Sequence, residues 1–279
     1  MIGVFDSGIG GLSVLREIHK LCPNVSTLYI ADQNHVPYGP RSETEIQQFS
    51  DSICQYLLGR GVTVIVIACN TATAAAIGWL RKRYPTVSFV GMEPAIKPAA
   101  LLTKSGKIGV LATTGTFKSQ RYALLMNRYA QEVYLFENSC IGLVETIESG
   151  DINSPTLQAM LEQFIQPMLY QGIDTLILGC THYPFVLPLI QKIIGEDIQI
   201  IDPSPAIARQ INRVLLDIPF NSAPESPKNL IHEYVTSGQL STYIPMVNRL
   251  VSVNLPQDVM RQNSVNAIHK TFYQHIDNN

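Results

Sequence analysis

Three short apolar units occur twice in the same order along this chain, and that repetition constrains its fold more than any other feature. IGVFDSGIGG (2–11) resembles IGVLATTGTF (108–117), STLYIAD (26–32) resembles EVYLFEN (132–138), and VTVIVIACNT (62–71) resembles IDTLILGCTH (173–182). The offsets are 106, 106 and 111 residues. Units that recur in one order at near-constant spacing indicate two halves of like topology. Most apolar runs are followed by helix-length amphipathic segments, such as 11–21 and 42–58. Strands buried on both faces read as continuous apolar runs, so this alternation is the signature of parallel sheets covered by helices. The fold class predicted is α/β: two similar α/β domains with mainly parallel sheets, and if the halves face one another, an active site would lie in the cleft between them. Strands are expected at 2–5, 27–31, 62–68, 87–91, 108–112, 133–136, 174–179 and 198–202. Pro-containing stretches at 93–98 and 202–205 mark the boundaries, giving a first domain of 1–94 plus 206–279 and a second of 95–205. Past residue 206 the alternation weakens, a loop rich in Pro, Ser and Asn runs over 217–229, and the tail is expected to return to the first half.

Composition removes several functions. With 46% hydrophobic and 15% charged residues among 279, the chain is not a disordered or solvating sequence. The net charge is -2 and the 20 Lys and Arg are scattered, which predicts no nucleic-acid partner and no anionic membrane, but a small neutral or acidic ligand. Residues 61–80 carry no formal charge, yet Cys69, Asn70, Thr71 and Thr73 lie in their middle, so the stretch divides into strand, polar turn and helix rather than a membrane span. The opening MIGVFDSG lacks the pattern of a secretory signal, and a cytoplasmic location is expected. Five cysteines with no CxxC predict free thiols, without a disulfide framework or a metal site.

In open parallel sheets, ligands gather at the carboxyl ends of the strands. After the first strand comes Asp6-Ser7-Gly8-Ile9-Gly10-Gly11, which is neither a dinucleotide fingerprint nor a P-loop. Its glycines suit a tight strand-to-helix turn, and its amides could bind an anion. Cys69 and Cys180 end corresponding strands of the two halves and open polar segments, where amide dipoles are expected to favour thiolate. Two thiols meeting one ligand from opposite sides suit removal of a proton from one face of a carbon and its return to the other. A two-lobed binding protein makes no use of the matched cysteines, and a thiol redox protein lacks its CxxC.

FDSGIGG at 5–11, PYGPRS at 37–42, ACNTAT at 68–73, LATTGT at 111–116 and GCTHYP at 179–184 together resemble glutamate racemase, within the aspartate/glutamate racemase superfamily. The resemblance spans about residues 2–205, and aspartate racemases differ in usually carrying a glutamate after the second Cys-Thr. It implies cofactor-independent racemisation of L-glutamate to D-glutamate for peptidoglycan, and so for the cell wall and cell shape, with no metal. Cys69 and Cys180 would be the acid/base pair, Cys69 acting on D-glutamate and Cys180 on L-glutamate. Asp6, Ser7, Tyr38, Gly39, Asn70, Thr71, Thr113, Thr116, Thr181 and His182 would surround the substrate. Asp6 and His182 would also tune the proton affinities of Cys69 and Cys180, and Asp32 and Glu145 would support the site from behind. A homodimer is an assembly the resemblance allows. The few residues ahead of Asp6 are expected to leave no room for the N-terminal extension of some members, and 234–238 loosely resembles the family's Thr-Thr-Gly-Asp element.

Overall fold

The computed structural model describes residues 1–217 and 230–251. In chain order its strands are β1 (Ile2–Asp6), β2 (Thr27–Ala31), β3 (Val64–Ile67), β4 (Ser88–Gly91), β5 (Lys107–Ala112), β6 (Tyr134–Asn138), β7 (Thr175–Gly179), β8 (Gln199–Ile201) and β9 (His232–Thr236). The helices are α1 (Leu12–Leu21), α2 (Glu43–Gly59), α3 (Asn70–Arg83), α4 (Ile96–Leu102), α5 (Thr114–Phe117), α6 (Gln120–Tyr129), α7 (Leu143–Glu148), α8 (Pro155–Tyr170), α9 (Leu187–Ile194), α10 (Ser204–Asp217) and α11 (Leu240–Val251). One sheet has the order β4-β3-β1-β2-β9, the other β6-β5-β7-β8, and every pairing is parallel.

Read from their fourth strands, the sheets run β4-β3-β1-β2 and β8-β7-β5-β6, the same arrangement twice. The repeated sequence units therefore build repeated topology. At the carboxyl ends, Phe5 pairs with Ile67 in one sheet and Ala112 with Gly179 in the other. Cys69 and Cys180 thus follow equivalent strands, each paired with the first strand of its own sheet.

All residues of β1, β2, β3 and β7 are buried, as strands covered on both faces must be. The largest apolar cluster crosses both halves, from Val4 and Leu15 through Leu143 and Ile147 to Leu161 and Leu178. That shared core holds the cleft walls in register. Helix starts are fixed by side chains: Ser42 and Glu45 form a reciprocal capping box at α2, and Thr113 caps α5. The uncharged stretch 61–80 is strand β3, a turn and the start of α3, and among the described residues no helix is long and apolar enough to cross a membrane.

Strand β9 lies outside the expected set. It is an edge strand against β2, with Glu233 turned outward to pair with Arg60 at 2.8 Å. Its sequence, His232-Glu233-Tyr234-Val235-Thr236, opens on two polar residues and so shows no continuous apolar run. At its start, the Thr27 hydroxyl lies 3.0 Å from both His19 Nε2 and His232 Nδ1, joining α1, β2 and β9. The Pro, Ser and Asn-rich loop expected over 217–229 lies outside the described residues except for Asp217.

Candidate active site

The carboxyl ends of β1, β2, β3, β5 and β7 converge on one small cavity. Ser7, Tyr38, Gly39, Cys69, Asn70, Thr71, Thr113, Cys180, Thr181 and His182 line it, with Pro37, Val144 and Gly179. Its free volume is about 10 Å³, close to what one water needs. No Lys or Arg is among these lining residues. Asp6 and Thr116 stand behind the wall: Asp6 supports Thr181, and Thr116 closes a hydroxyl cluster in which Thr71 and Thr113 are 2.8 Å apart.

Cys69 is the N-cap of α3. Its sulfur accepts the Ala72 N–H at 3.3 Å and lies 3.9 Å from the Ser7 hydroxyl. That amide lowers the thiol's proton affinity, as the helix start predicts, but two larger effects oppose it. Burial, followed by the nearby Asp6 carboxyl, pushes the Cys69 thiol up to about 12. The expectation that this position favours thiolate is thereby corrected: desolvation outweighs one amide.

Cys180 follows β7, and its sulfur is 3.7 Å from His182 Nδ1. The other ring nitrogen of His182 donates to Glu148 Oε1 at 2.6 Å. Burial works against a proton on His182, yet its bonds to Cys180 and Glu148 hold its pKa well above the ordinary histidine value. Burial likewise opposes the Glu148 charge, but His182, the Ile9 amide at 2.7 Å and Gln33 outweigh it and keep the carboxylate below its usual range. Asp6 goes the other way: burial raises it, although the His182 charge, the Gly8 amide and the Thr181 hydroxyl at 3.0 Å pull it down. One thiol thus has a carboxyl behind it, and the other an imidazole backed by a carboxylate.

Glu148 was not among the residues the sequence singled out. Glu145, three residues earlier on α7, is exposed and lies outside the cavity lining. The last turn of α7, not its first, meets the 6–11 loop of the other half. The glycines of that loop have a use beyond turning. A Cβ on Gly8 would overlap the Glu148 carboxylate, and one on Gly10 would overlap the Thr181 hydroxyl. Two of the loop amides are engaged within the chain, Gly8 N–H by Asp6 and Ile9 N–H by Glu148. No spacing rule marks Glu148, because its partners lie 139 and 34 residues away.

Asp32 is buried and accepts the Tyr38 hydroxyl at 2.7 Å, the Ser237 hydroxyl at 2.8 Å and His35 Nδ1 at 2.8 Å. It therefore fixes Tyr38 in the cavity wall and ties that wall to the segment after β9. Asn70 is 3% exposed, and neither its side-chain oxygen nor its nitrogen has a hydrogen-bond partner. A buried amide left unmatched costs stability, and this one lies in the cavity wall where a water or a ligand could complete it.

The family described as Asp/Glu/Hydantoin racemase matches residues 2–211. A glutamate racemase of Pseudomonas paraeruginosa is 56% identical over 214 residues, which is 77% of this chain and 81% of the relative. A glutamate racemase isoform from Bacillus anthracis superposes with a TM-score of 0.78 at 33% identity, covering 90% of this chain and 94% of its own. The Escherichia coli glutamate racemase, solved with L-glutamate and an activator, gives 0.79 at 31% identity, covering 89% and 94%. With sequence, fold and strand-end geometry in agreement, the chain belongs to the Asp/Glu/Hydantoin racemase family, alongside its glutamate racemases.

Proposed function

We propose that this chain interconverts L- and D-glutamate through Cys69 and Cys180, without a cofactor. The observation that carries this reading is one cavity lined by two buried cysteines from equivalent positions of the two halves, Cys180 beside the His182 imidazole and Cys69 in the field of the Asp6 carboxyl. One thiolate takes the Cα proton, the electron pair is held between Cα and the α-carboxylate, and the opposite thiol returns a proton to the other face. Each sulfur reaches a single face, so the two directions use the bases in opposite roles.

The roles are unequal at rest. Cys69, with its high proton affinity, holds a proton near neutral pH and is the acid. The His182 imidazolium beside Cys180 offers a counter-charge for sulfur as it gives up or takes a proton. With Cys69 as the acid, Cys180 would be the base that takes the proton of L-glutamate. Ser7, Asn70, Thr71 and Thr181 supply hydroxyl and amide groups for the substrate's charges, and Asn70 gains the partners it lacks. D-glutamate made this way would serve peptidoglycan synthesis, and the free thiols suit the reducing cytoplasm.

The test is chiral chromatography of dialysed protein incubated with L- or D-glutamate, with aspartate in parallel. Both glutamate enantiomers should converge on equal amounts, chelators and carbonyl reagents should have no effect, and aspartate should be a poor substrate. Preference for aspartate, or activity restored only by pyridoxal phosphate, would overturn the reading.

A further inference from the structure

A second and much larger depression, about 650 Å³, lies against the catalytic cavity between α2, α3, α5 and α6. Its walls carry Arg41, Lys82, Lys118 and Arg121 against the single acid Glu43. Arg121 is engaged by Glu93 and Arg41 lies 3.9 Å from Glu45, whereas among the described residues Lys82 and Lys118 join no ion pair. The catalytic cavity beyond has no Lys or Arg in its lining. Positive charge is thus concentrated just outside the site.

The two spaces share the walls Gly39 and Thr71. Between them runs a seam where the halves touch without side chains to spare. A Cβ on Gly115 would stand 2.8 Å from the Gly39 carbonyl oxygen and 2.9 Å from Thr71 Cγ2, and one on Gly39 would stand 3.2 Å from Thr113 Cβ. Gly39 and Thr71 belong to the first half, Thr113 and Gly115 to the second. Parting the halves along this seam would join the 10 Å³ cavity to the 650 Å³ groove.

We propose that this groove is the vestibule through which anionic amino acids reach the two thiols, with Lys82 and Lys118 collecting the carboxylates and the Gly39–Gly115 seam acting as the door. This rests on the glutamate reading above. A cleft lined by one sign of charge concentrates the opposite ion and speeds its arrival, an effect that salt suppresses. Hydroxyls and amides then complete the binding inside.

The experiment compares K82E/K118E with K104E/K192E, a pair of equal charge change at exposed positions outside the groove. In low salt the groove pair should lose about tenfold in kcat/KM for both glutamate enantiomers, through KM, with kcat retained. The loss should shrink in about 0.5 M salt, where screening acts over a few ångströms. The control pair should keep the wild-type value. Unchanged kcat/KM in the groove pair, an equal loss in the control pair, or a loss carried by kcat would overturn the vestibule. Absence of glutamate turnover by the wild-type chain would instead overturn the racemase reading.

Discussion

His182 bridges a carboxylate and a thiol: Nε2 bonds Glu148 Oε1 at 2.6 Å while Nδ1 faces Cys180 Sγ at 3.7 Å. Cys69 has instead the neighbouring Asp6 carboxyl, whose oxygens accept the Gly8 N–H and the Thr181 hydroxyl. The two acid/base arms are alike in their thiols and unlike in what supports them.

Glu148→Gln should therefore damage one arm selectively. Racemisation is expected to slow by about 100-fold, as for loss of a well-placed acid/base partner. Glu148 helps to raise the His182 pKa, so without it the imidazolium is lost at lower pH and the alkaline limb of kcat/KM moves down. A pH profile with an unmoved alkaline limb would contradict this assignment.

Elimination from a glutamate analogue with a leaving group at Cβ needs only one base. Cys180→Ser should still eliminate from the analogue of D configuration and Cys69→Ser from the L form, while each racemises several orders of magnitude more slowly. The Glu148→Gln variant should resemble a milder Cys180→Ser. Equal elimination from both enantiomers by either cysteine variant would mean that one base serves both faces.

Asn70 separates stability from binding. Replacing it with Ala removes two buried polar atoms that have no protein partner, so the melting temperature should hold or rise. The same change should lower kcat/KM by roughly 10- to 100-fold, the worth of one or two bonds to a charged ligand. A large fall in melting temperature with binding intact would show that Asn70 is structural.

Acid should loosen the edge of the first sheet. Burial, with the neighbouring His232 charge, lowers the His19 pKa from 6.5 to about 4. Between those values the unfolded chain binds a proton that the folded chain refuses, so stability is lost as pH falls through this window. The full loss is on the order of 3 kcal/mol from the linkage of such a shift. Urea titrations at pH 7 and 4.5 should show a smaller difference for His19→Gln than for the wild type. An unchanged difference would show that the histidine does not set the acid limb.

What could be read before any coordinates follows from how each residue acts. Strands β1–β8 announce themselves as short apolar runs, the inner ones because strands flanked on both sides are apolar along their length, and Cys69 and Cys180 stand where two of those runs stop. The β9 strand escapes because its first two residues are polar, His232 meeting Thr27 and Glu233 meeting Arg60, which leaves no apolar run to read. Asn70, Thr71, Thr181 and His182 are adjacent to the thiols in sequence and are found with them. Glu148 escapes because its place depends on how closely Gly8 and Gly10 let the second half approach, a matter of missing side chains in one half and a helix turn in the other.

The matching strand orders also bear on origins. A single half-chain with this topology, docked face to face with a copy of itself, would already present one thiol to each side of a trapped carbon. Joining two such copies end to end conserves that near-symmetry, suited to a substrate and product that are mirror images. It also frees each copy to diverge, so that Asp6 could remain behind one sulfur while Glu148 and His182 assembled behind the other.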